Sequence, residues 1–191
     1  MGIEYGILDF IAENIRCAFL DPIMAALSIF GNYGMGWIIL ALPLLIPRKT
    51  RTAAATALVA MLIGALAGEF ALKHIVCRPR PYLTYEQFHG FAMPFTLNTG
   101  PHGGYSFPSG HSCCAFAAAV SSFKINKRVG VITTIVAALV AFSRLYNYVH
   151  FPSDVLAGTV IGILCALLVI FVFKKFSVDE KLLRIRINKS N

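Results

Sequence analysis

The sequence predicts an all-α integral membrane protein: a bundle of about five transmembrane helices, preceded by an amphipathic helix at the membrane interface. Three observations lead to this fold class. Of the 191 residues, 57% are hydrophobic and only 14% are charged, whereas a soluble domain usually carries roughly 25% charged residues. Several uncharged segments approach or exceed the roughly 20 residues that a spanning helix needs. Finally, the basic residues are concentrated in the connections between those segments.

Residues 1–20 are expected to form the interfacial helix. Apolar residues recur at helical spacing, namely Ile3, Ile7, Phe10, Ile11, Ile15 and Phe19. The four charged residues between them, which include Glu4 and Asp9, argue against a cleavable signal peptide. Two interpretations stay open: the helix lies on the membrane surface, or it packs against the rest of the protein.

Three segments are long and apolar enough to span the membrane by themselves: 23–46, 53–72 and 155–173. Two shorter uncharged segments, 112–123 and 129–143, reach a spanning length only with polar residues at one end. We predict that both span, and that their outer ends are polar for functional reasons.

The depth of those polar ends supports this interpretation. At 1.5 Å per helical residue, Arg144 lies roughly 22 Å and His111 roughly 18 Å from the inner boundary of the membrane. The hydrocarbon core is about 30 Å thick, so both side chains are expected below the outer surface. Ionisable groups at such depth are costly and usually functional.

The distribution of basic residues predicts the orientation. Twelve of the 17 Lys and Arg residues lie in 47–52, in 124–128 and after residue 173. Cytoplasmic connections carry the excess of Lys and Arg, so 174–191 is expected to be a cytoplasmic basic tail in contact with anionic lipid. No basic-aromatic module accompanies the net charge of +8, which argues against a nucleic-acid partner.

The outward connection at 82–107 is long and rich in aromatic residues. Aromatic side chains favour the membrane interface, so an interfacial belt is the favoured interpretation and a lid over the site is the alternative. The five cysteines match no zinc-binding pattern. A disulfide between Cys77 and Cys113 or Cys114 stays open beside the favoured interpretation of buried free thiols.

Polar residues from three distant segments are predicted to meet on the outward face. They are Lys73 with Arg80 and Pro81; Pro108, Ser109, Gly110 and His111; and Ser143 and Arg144 with His150 and Asp154. Lys73, Arg80 and Arg144 suit a phosphate, because guanidinium forks match its oxygens and an ammonium adds a point charge. Ser109 and Gly110 open a helix whose free N–H groups form an anion site; Ser109 is either its cap or a phosphate donor.

The two histidines suit the two tasks of phosphate-ester hydrolysis, nucleophile and acid. Asp154 is expected to accept the Nδ1 proton of His150 and leave Nε2 free to attack phosphorus. A phosphate dianion favours protonated His111, which then acts as the general acid. No metal or cofactor is required, and the intermediate is a phosphohistidine.

Other interpretations of neighbouring residues stay open. An Arg144–Asp154 ion pair that only stabilises the bundle is one alternative. Glu69 has no clear role in this scheme, and pairing with a site cation is an open alternative for it. Arg78 either assists phosphate binding or is solvated. His74, His89 and His102 are interpreted as loop or interface residues.

These three motifs resemble the three signatures of the type-2 phosphatidic acid phosphatase and vanadium haloperoxidase superfamily. The resemblance covers residues 53–173, which we interpret as the catalytic core of one membrane phosphatase domain spanning 1–191. It implies that His150 is the nucleophile, Asp154 its partner and His111 the acid, and that phosphate is bound by the remaining signature residues, Lys73, Arg80, Ser109, Gly110 and Arg144.

The resemblance implies a membrane lipid phosphatase whose site faces away from the cytoplasm. Undecaprenyl diphosphate is the favoured substrate, and phosphatidic acid or phosphatidylglycerophosphate are the alternatives. A haloperoxidase is disfavoured because those relatives are soluble. A transporter or channel is disfavoured because no repeat symmetry is visible in the sequence.

Overall fold

The computed structural model describes residues 2–94 and 104–184. Within these ranges the protein is all-helical, which confirms the predicted fold class. The ten α-helices are α1 (Gly2–Asn14), α2 (Leu20–Gly31), α3 (Met35–Leu44), α4 (Arg48–Ala65), α5 (Lys73–Val76), α6 (Tyr85–His89), α7 (Gly110–Ser122), α8 (Lys127–Tyr146), α9 (Pro152–Lys175) and α10 (Val178–Arg184).

Four helical stretches in the described part of the chain are long and apolar enough to cross a membrane: Leu20–Leu44, Arg48–Leu83, Lys127–Tyr146 and Pro152–Lys175. The fifth predicted span, 112–123, is helical as α7 but has only 13 residues. At 1.5 Å per residue it is about 20 Å long, which is less than the hydrocarbon thickness. It lies in the middle of the bundle, where it packs against α4, α8 and α9.

Small side chains allow the helices to approach α7 closely. Ala115, Ala117 and Ala119 are fully buried on α7. On α9, Gly158 and Gly162 face the backbone of α7: a Cβ atom on either glycine would lie 2.2 Å from a carbonyl oxygen, that of Ser109 or of Cys113. Small residues at such contacts are the usual means of close helix packing in membranes.

The segment predicted as one apolar helix over 23–46 is interrupted. A single 3-10 turn, Asn32–Gly34, separates α2 from α3, and Tyr33 and Gly34 have positive φ angles of 51° and 70°. Non-helical backbone at membrane depth is tolerated where it is buried in protein or lines a cavity. The break lies beside α7 and is the first structural sign of a site there.

Helix α1 combines both interpretations of the N-terminal segment. Tyr5, Leu8 and Ile11 are buried against the protein, whereas Ile3 and Phe10 are 84% and 59% exposed. One face of α1 therefore packs on the bundle, and the opposite face is apolar and available to lipid.

The described part of the aromatic connection packs on α1. Tyr5 stacks on Phe88 with ring centroids 4.1 Å apart, and Tyr85 is buried next to it. His89 Nδ1 donates a hydrogen bond to the Tyr85 carbonyl at 3.0 Å, and its Nε2 lies 2.9 Å from Asp9 Oδ2, as expected for a loop residue. Phe95 and His102 lie outside the described residues, and the lid stays a prediction. All five cysteines are free thiols, so neither disulfide is formed.

Candidate active site

A cavity of about 820 Å³ opens between the broken helix, α4 and the start of α7. Six of the eight predicted site residues line it: Lys73, Arg80, Gly110, His111, Arg144 and His150. The other two, Ser109 and Asp154, are fully buried just behind its wall. The three sequence-distant segments therefore meet at one place.

The start of α7 is built as a capped helix terminus. Ser109 precedes the first turn, and its hydroxyl accepts hydrogen bonds from the Ser112 backbone N–H (3.4 Å) and side-chain hydroxyl (3.0 Å). The Ser109 N–H donates to the Asp154 carbonyl at 3.0 Å, which ties α7 to α9. Ser109 thus acts as the helix cap, the first of its two predicted roles, and Gly110 presents backbone to the cavity.

The imidazole of His150 faces a cation. Its Nε2 atom lies 3.2 Å from Nη1 of Arg80, which also donates to the Val149 carbonyl at 3.0 Å. Because arginine can only donate, Nε2 accepts and carries a lone pair, so a neutral His150 holds its proton on Nδ1. Burial, followed by the positive charges of Arg144, Arg80 and Lys73, lowers the pKa of His150 well below its usual value.

The predicted hydrogen bond between Asp154 and His150 is wrong for this structure. Asp154 Oδ2 lies 3.7 Å from His150 Nδ1, beyond hydrogen-bond distance. The reason is the helix start: Oδ2 instead accepts the Phe151 N–H at 2.8 Å, as a carboxylate at the third helical position does. Asp154 is close enough to act on His150 through its charge.

The other oxygen of Asp154 pairs with Arg78. Arg78 Nη1 lies 2.8 Å from Asp154 Oδ1. The alternative of an Arg144–Asp154 pair is therefore wrong, as is the alternative of a solvated Arg78. Arg78 lies outside the cavity wall and holds Asp154 from behind.

Two residues, Ser28 of α2 and Asn32 of the break that follows it, bind His111, and Asn32 also lines the cavity. His111 Nε2 lies 3.1 Å from the Ser28 carbonyl and 3.1 Å from Oδ1 of Asn32. A carbonyl oxygen only accepts, so Nε2 carries a proton in this arrangement. The Ser28 hydroxyl also accepts a hydrogen bond from Arg144, so one serine connects the two predicted site residues.

Glu69 pairs with a site cation, which was the open alternative for this residue. Both of its carboxylate oxygens lie 2.8 Å from Lys73 Nζ. Glu69 belongs to a π-helical stretch, Leu66–Leu72, which continues α4 toward α5. Its Oε1 also lies against Gly110, only 2.7 Å from where a Cβ atom would stand. π-Helical turns recur at functional sites.

Sequence reasoning missed four residues of the site and its support: Ser28, Asn32, Ser106 and Glu4. Asn32 and Ser28 carried a signal, because they are polar residues inside an otherwise apolar span. Ser106 carried a weaker sequence signal, since it lies two residues before the second motif. In the structure its N–H donates to the Arg78 carbonyl at 2.8 Å. Glu4 lies about 150 residues from its partner Ser153 in sequence and carried none.

Membrane-length helices packed around a buried cavity with lysine, arginine and histidine side chains define a membrane protein with a site for an anionic group. Residues 31–177 match the model of the PAP2 superfamily, and the chain belongs to that superfamily. It is a phosphatase of the membrane-embedded type.

Individual relatives agree with this assignment. The chain is 31% identical over 163 residues to the undecaprenyl-diphosphatase of Sulfolobus acidocaldarius, covering 85% of this chain and 74% of that protein. It is also similar to the crystal structure of a transmembrane PAP2-type phosphatidylglycerolphosphate phosphatase from Bacillus subtilis, with a TM-score of 0.69 and 28% identity over 97% of this chain and 88% of the other. The structure of Aquifex aeolicus LpxE gives a TM-score of 0.71 and 26% identity over 90% and 96% of the two chains.

Proposed function

We propose that this protein removes the terminal phosphate of a membrane lipid through a phosphohistidine on His150, and that the lipid is undecaprenyl diphosphate. One observation carries the chemistry: Nε2 of a buried histidine bears its lone pair inside a cavity lined by Lys73, Arg80 and Arg144. A nucleophile in such a cationic cavity suits an anionic phosphorus centre.

Phosphate binding is the first step. Arg80 and Arg144 supply guanidinium groups, Lys73 supplies an ammonium, and the N–H groups of the first turn of α7 add further donors. These groups are fixed before the substrate arrives, so they stabilise charge that develops on the equatorial oxygens during transfer. Preorganised donors of this kind are worth about 3–4 kcal/mol each.

Transfer to the protein is the second step. His150 Nε2 attacks phosphorus, a P–N bond forms, and the P–O bond to the lipid breaks. His111 gives a proton to the departing lipid oxygen. Asp154, 3.7 Å from His150 Nδ1, stabilises the positive charge that develops on the imidazole ring.

Hydrolysis of the phosphohistidine is the third step. His111, now neutral, takes a proton from a water molecule, and the resulting oxygen attacks phosphorus. The P–N bond breaks, inorganic phosphate leaves, and His150 recovers its lone pair. The cycle needs neither metal nor cofactor, since both protons are carried by His111.

The substrate proposal rests on similarity. The Sulfolobus acidocaldarius relative is named for undecaprenyl diphosphate and aligns with most of this chain. The Bacillus subtilis structure favours the alternative, phosphatidylglycerophosphate, or by extension phosphatidic acid. The proposed location of the site on the outer side of the cytoplasmic membrane is supported by Lys124, Lys127 and Lys174, which lie at the opposite ends of α7, α8 and α9 from the cavity.

The test is phosphate release from purified protein in detergent. The parent protein is expected to hydrolyse one lipid of a panel comprising undecaprenyl diphosphate, phosphatidic acid and phosphatidylglycerophosphate, with vanadate inhibiting and EDTA without effect. His150→Ala is expected to lose turnover by about 10⁴-fold or more while keeping the parental melting temperature.

Each outcome has one meaning. Release from every lipid at the parental rate by His150→Ala contradicts the nucleophile assignment. A higher kcat/KM for phosphatidylglycerophosphate or phosphatidic acid replaces the proposed substrate by the alternative. Absence of phosphate release from the whole panel by the parent protein contradicts the lipid phosphatase proposal.

A further inference from the structure

Arg78 lies at the centre of a network that links the N-terminal helix to the site. Its Nη1 donates to Asp154 Oδ1 (2.8 Å) and to the Ser153 hydroxyl (2.6 Å), and its Nη2 donates to Glu4 Oε2 at 2.5 Å. The guanidinium also covers the ring of Phe151, 3.9 Å from its centroid. Planar donors that contact two carboxylates and a ring are held in one orientation.

Glu4 contributes a second set of contacts with its other oxygen. Oε1 accepts the Ser153 N–H at 3.2 Å and the Ser153 hydroxyl at 2.6 Å. Ser153 is in the first turn of α9, so a side chain of α1 supplies an acceptor to an N–H group at the start of another helix. Burial alone raises the pKa of Glu4, but the bonds from Ser153 and Arg78 lower it below its usual value, so Glu4 is ionised at neutral pH.

Charges of alternating sign therefore run from α1 to the proposed nucleophile. Glu4 is negative, Arg78 is positive, Asp154 is negative, and the imidazole of His150 becomes positive when it attacks phosphorus. Glu4 neutralises part of the positive charge of Arg78, which would otherwise offset the charge of Asp154 alone. The carboxylate of Asp154 therefore stabilises positive charge on His150 more strongly than it would without Glu4.

Other side chains of α1 bind the neighbouring segments. The Tyr5 hydroxyl donates to the Pro81 carbonyl at 3.2 Å, next to Arg80. Asp9 accepts a hydrogen bond of 2.6 Å from the Tyr148 hydroxyl, two residues before His150. The inner face of α1 therefore contacts both segments that carry Arg80 and His150, while its outer face is exposed and apolar.

We propose that Glu4 is a positioning residue of the phosphatase, which acts on Asp154 through Arg78 and makes the interfacial helix α1 a part of the catalytic apparatus. This proposal rests on the function proposed for His150. It assigns to a helix outside the three motifs an electrostatic effect on the rate of phosphoryl transfer, transmitted through Arg78 and Asp154.

The test compares two substitutions on the same helix. Glu4→Gln removes the charge inside the network, and Glu13→Gln removes a charge at an exposed position of α1. Glu4→Gln is expected to lower kcat about 10-fold with little change in KM. The acid limb of kcat/KM is expected to move to lower pH, because a loss of negative charge disfavours protonated His150. Glu13→Gln is expected to match the parent, and Glu4→Asp to recover part of kcat and the parental acid limb.

Melting temperatures of all variants separate positioning from folding. A parental kcat in Glu4→Gln overturns the proposal, as does an equal loss in Glu13→Gln. A loss confined to KM or to stability, with the acid limb unmoved, also overturns it in favour of a merely structural role. His150→Ala distinguishes failure of this proposal from failure of the proposed function. If His150→Ala is active, the proposed function is wrong. If His150→Ala is inactive and Glu4→Gln is fully active, only the role of Glu4 is wrong.

Discussion

Substitution of Gly158 by alanine tests whether the contact between α7 and α9 sets the geometry of the site. A Cβ atom at Gly158 would lie 2.2 Å from the Ser109 carbonyl oxygen and 3.2 Å from Ser112 Cβ. Carbon and oxygen atoms do not approach much closer than about 3.2 Å without a hydrogen bond. The start of α7 and the start of α9 must therefore separate by about 1 Å.

The expected loss of rate follows from that displacement. α9 carries Asp154 and follows His150, whereas α7 begins with Gly110 and His111, so the separation moves the nucleophile away from the anion site. A misplacement of about 1 Å costs on the order of 10²-fold in rate. The free energy of unfolding changes less, because overpacking costs about 1–3 kcal/mol and alanine recovers about 1 kcal/mol of helix propensity over glycine.

Gly162→Ala is the matched control. Its Cβ atom would also lie 2.2 Å from a carbonyl oxygen, that of Cys113, but one turn further from the site. Turnover and melting temperature are measured for both variants. We expect similar melting temperatures and a kcat for Gly162→Ala at least about 10-fold above that of Gly158→Ala. A parental kcat in Gly158→Ala, or equal losses in two folded variants, would refute the reasoning.

Two further predictions concern charge in the cavity. Glu69→Gln is expected to tighten inhibition by vanadate about threefold, because the carboxylate competes with the oxyanion for Lys73 and the pair is partly exposed; weaker inhibition would show that Glu69 instead holds Lys73 in place. The lowered pKa of His150 predicts that the acid limb of kcat/KM lies below pH 6.5. Below about pH 6.5 the unfolded chain then binds more protons than the folded protein. The free energy of unfolding is therefore expected to decrease as the pH is lowered through that range. Chemical denaturation at several pH values measures this change.

The convergence of the site could be predicted from the sequence because charge is rare in membrane spans. Lys73, His111 and Arg144 stand out beside apolar segments, and the depth of His111 and Arg144 follows from the helical rise. The capped start of α7 follows from Ser109 and Gly110 in the same way. Such signals are local, so they need no knowledge of tertiary contacts.

The partners of the site residues could not be predicted, because they depend on competition between distant groups. Spacing of four residues suggested that Asp154 bonds His150, but the Phe151 N–H and Arg78 occupy its oxygens. The break at Asn32–Gly34 was equally hidden, since an apolar segment of that length reads as one helix. Its role is apparent only from the structure, in which Asn32 Oδ1 lies 3.1 Å from His111 Nε2.

The shortness of α7 explains why a site with this much charge can exist inside a membrane. α7 and α8 are joined by a short turn, so Ser122 and Lys127 lie near one plane. The 20 residues of α8 rise about 30 Å and the 13 residues of α7 about 20 Å, which leaves the start of α7 about 10 Å short of the C-terminal end of α8. Helix α7 therefore begins short of the end of its longer neighbour, and the cavity opens at its first turn, where Gly110 and His111 line it. We expect a phosphate in this cavity to be attracted by the start of α7 and by Lys73, Arg80 and Arg144 more strongly than at the membrane surface, because most of these groups are buried.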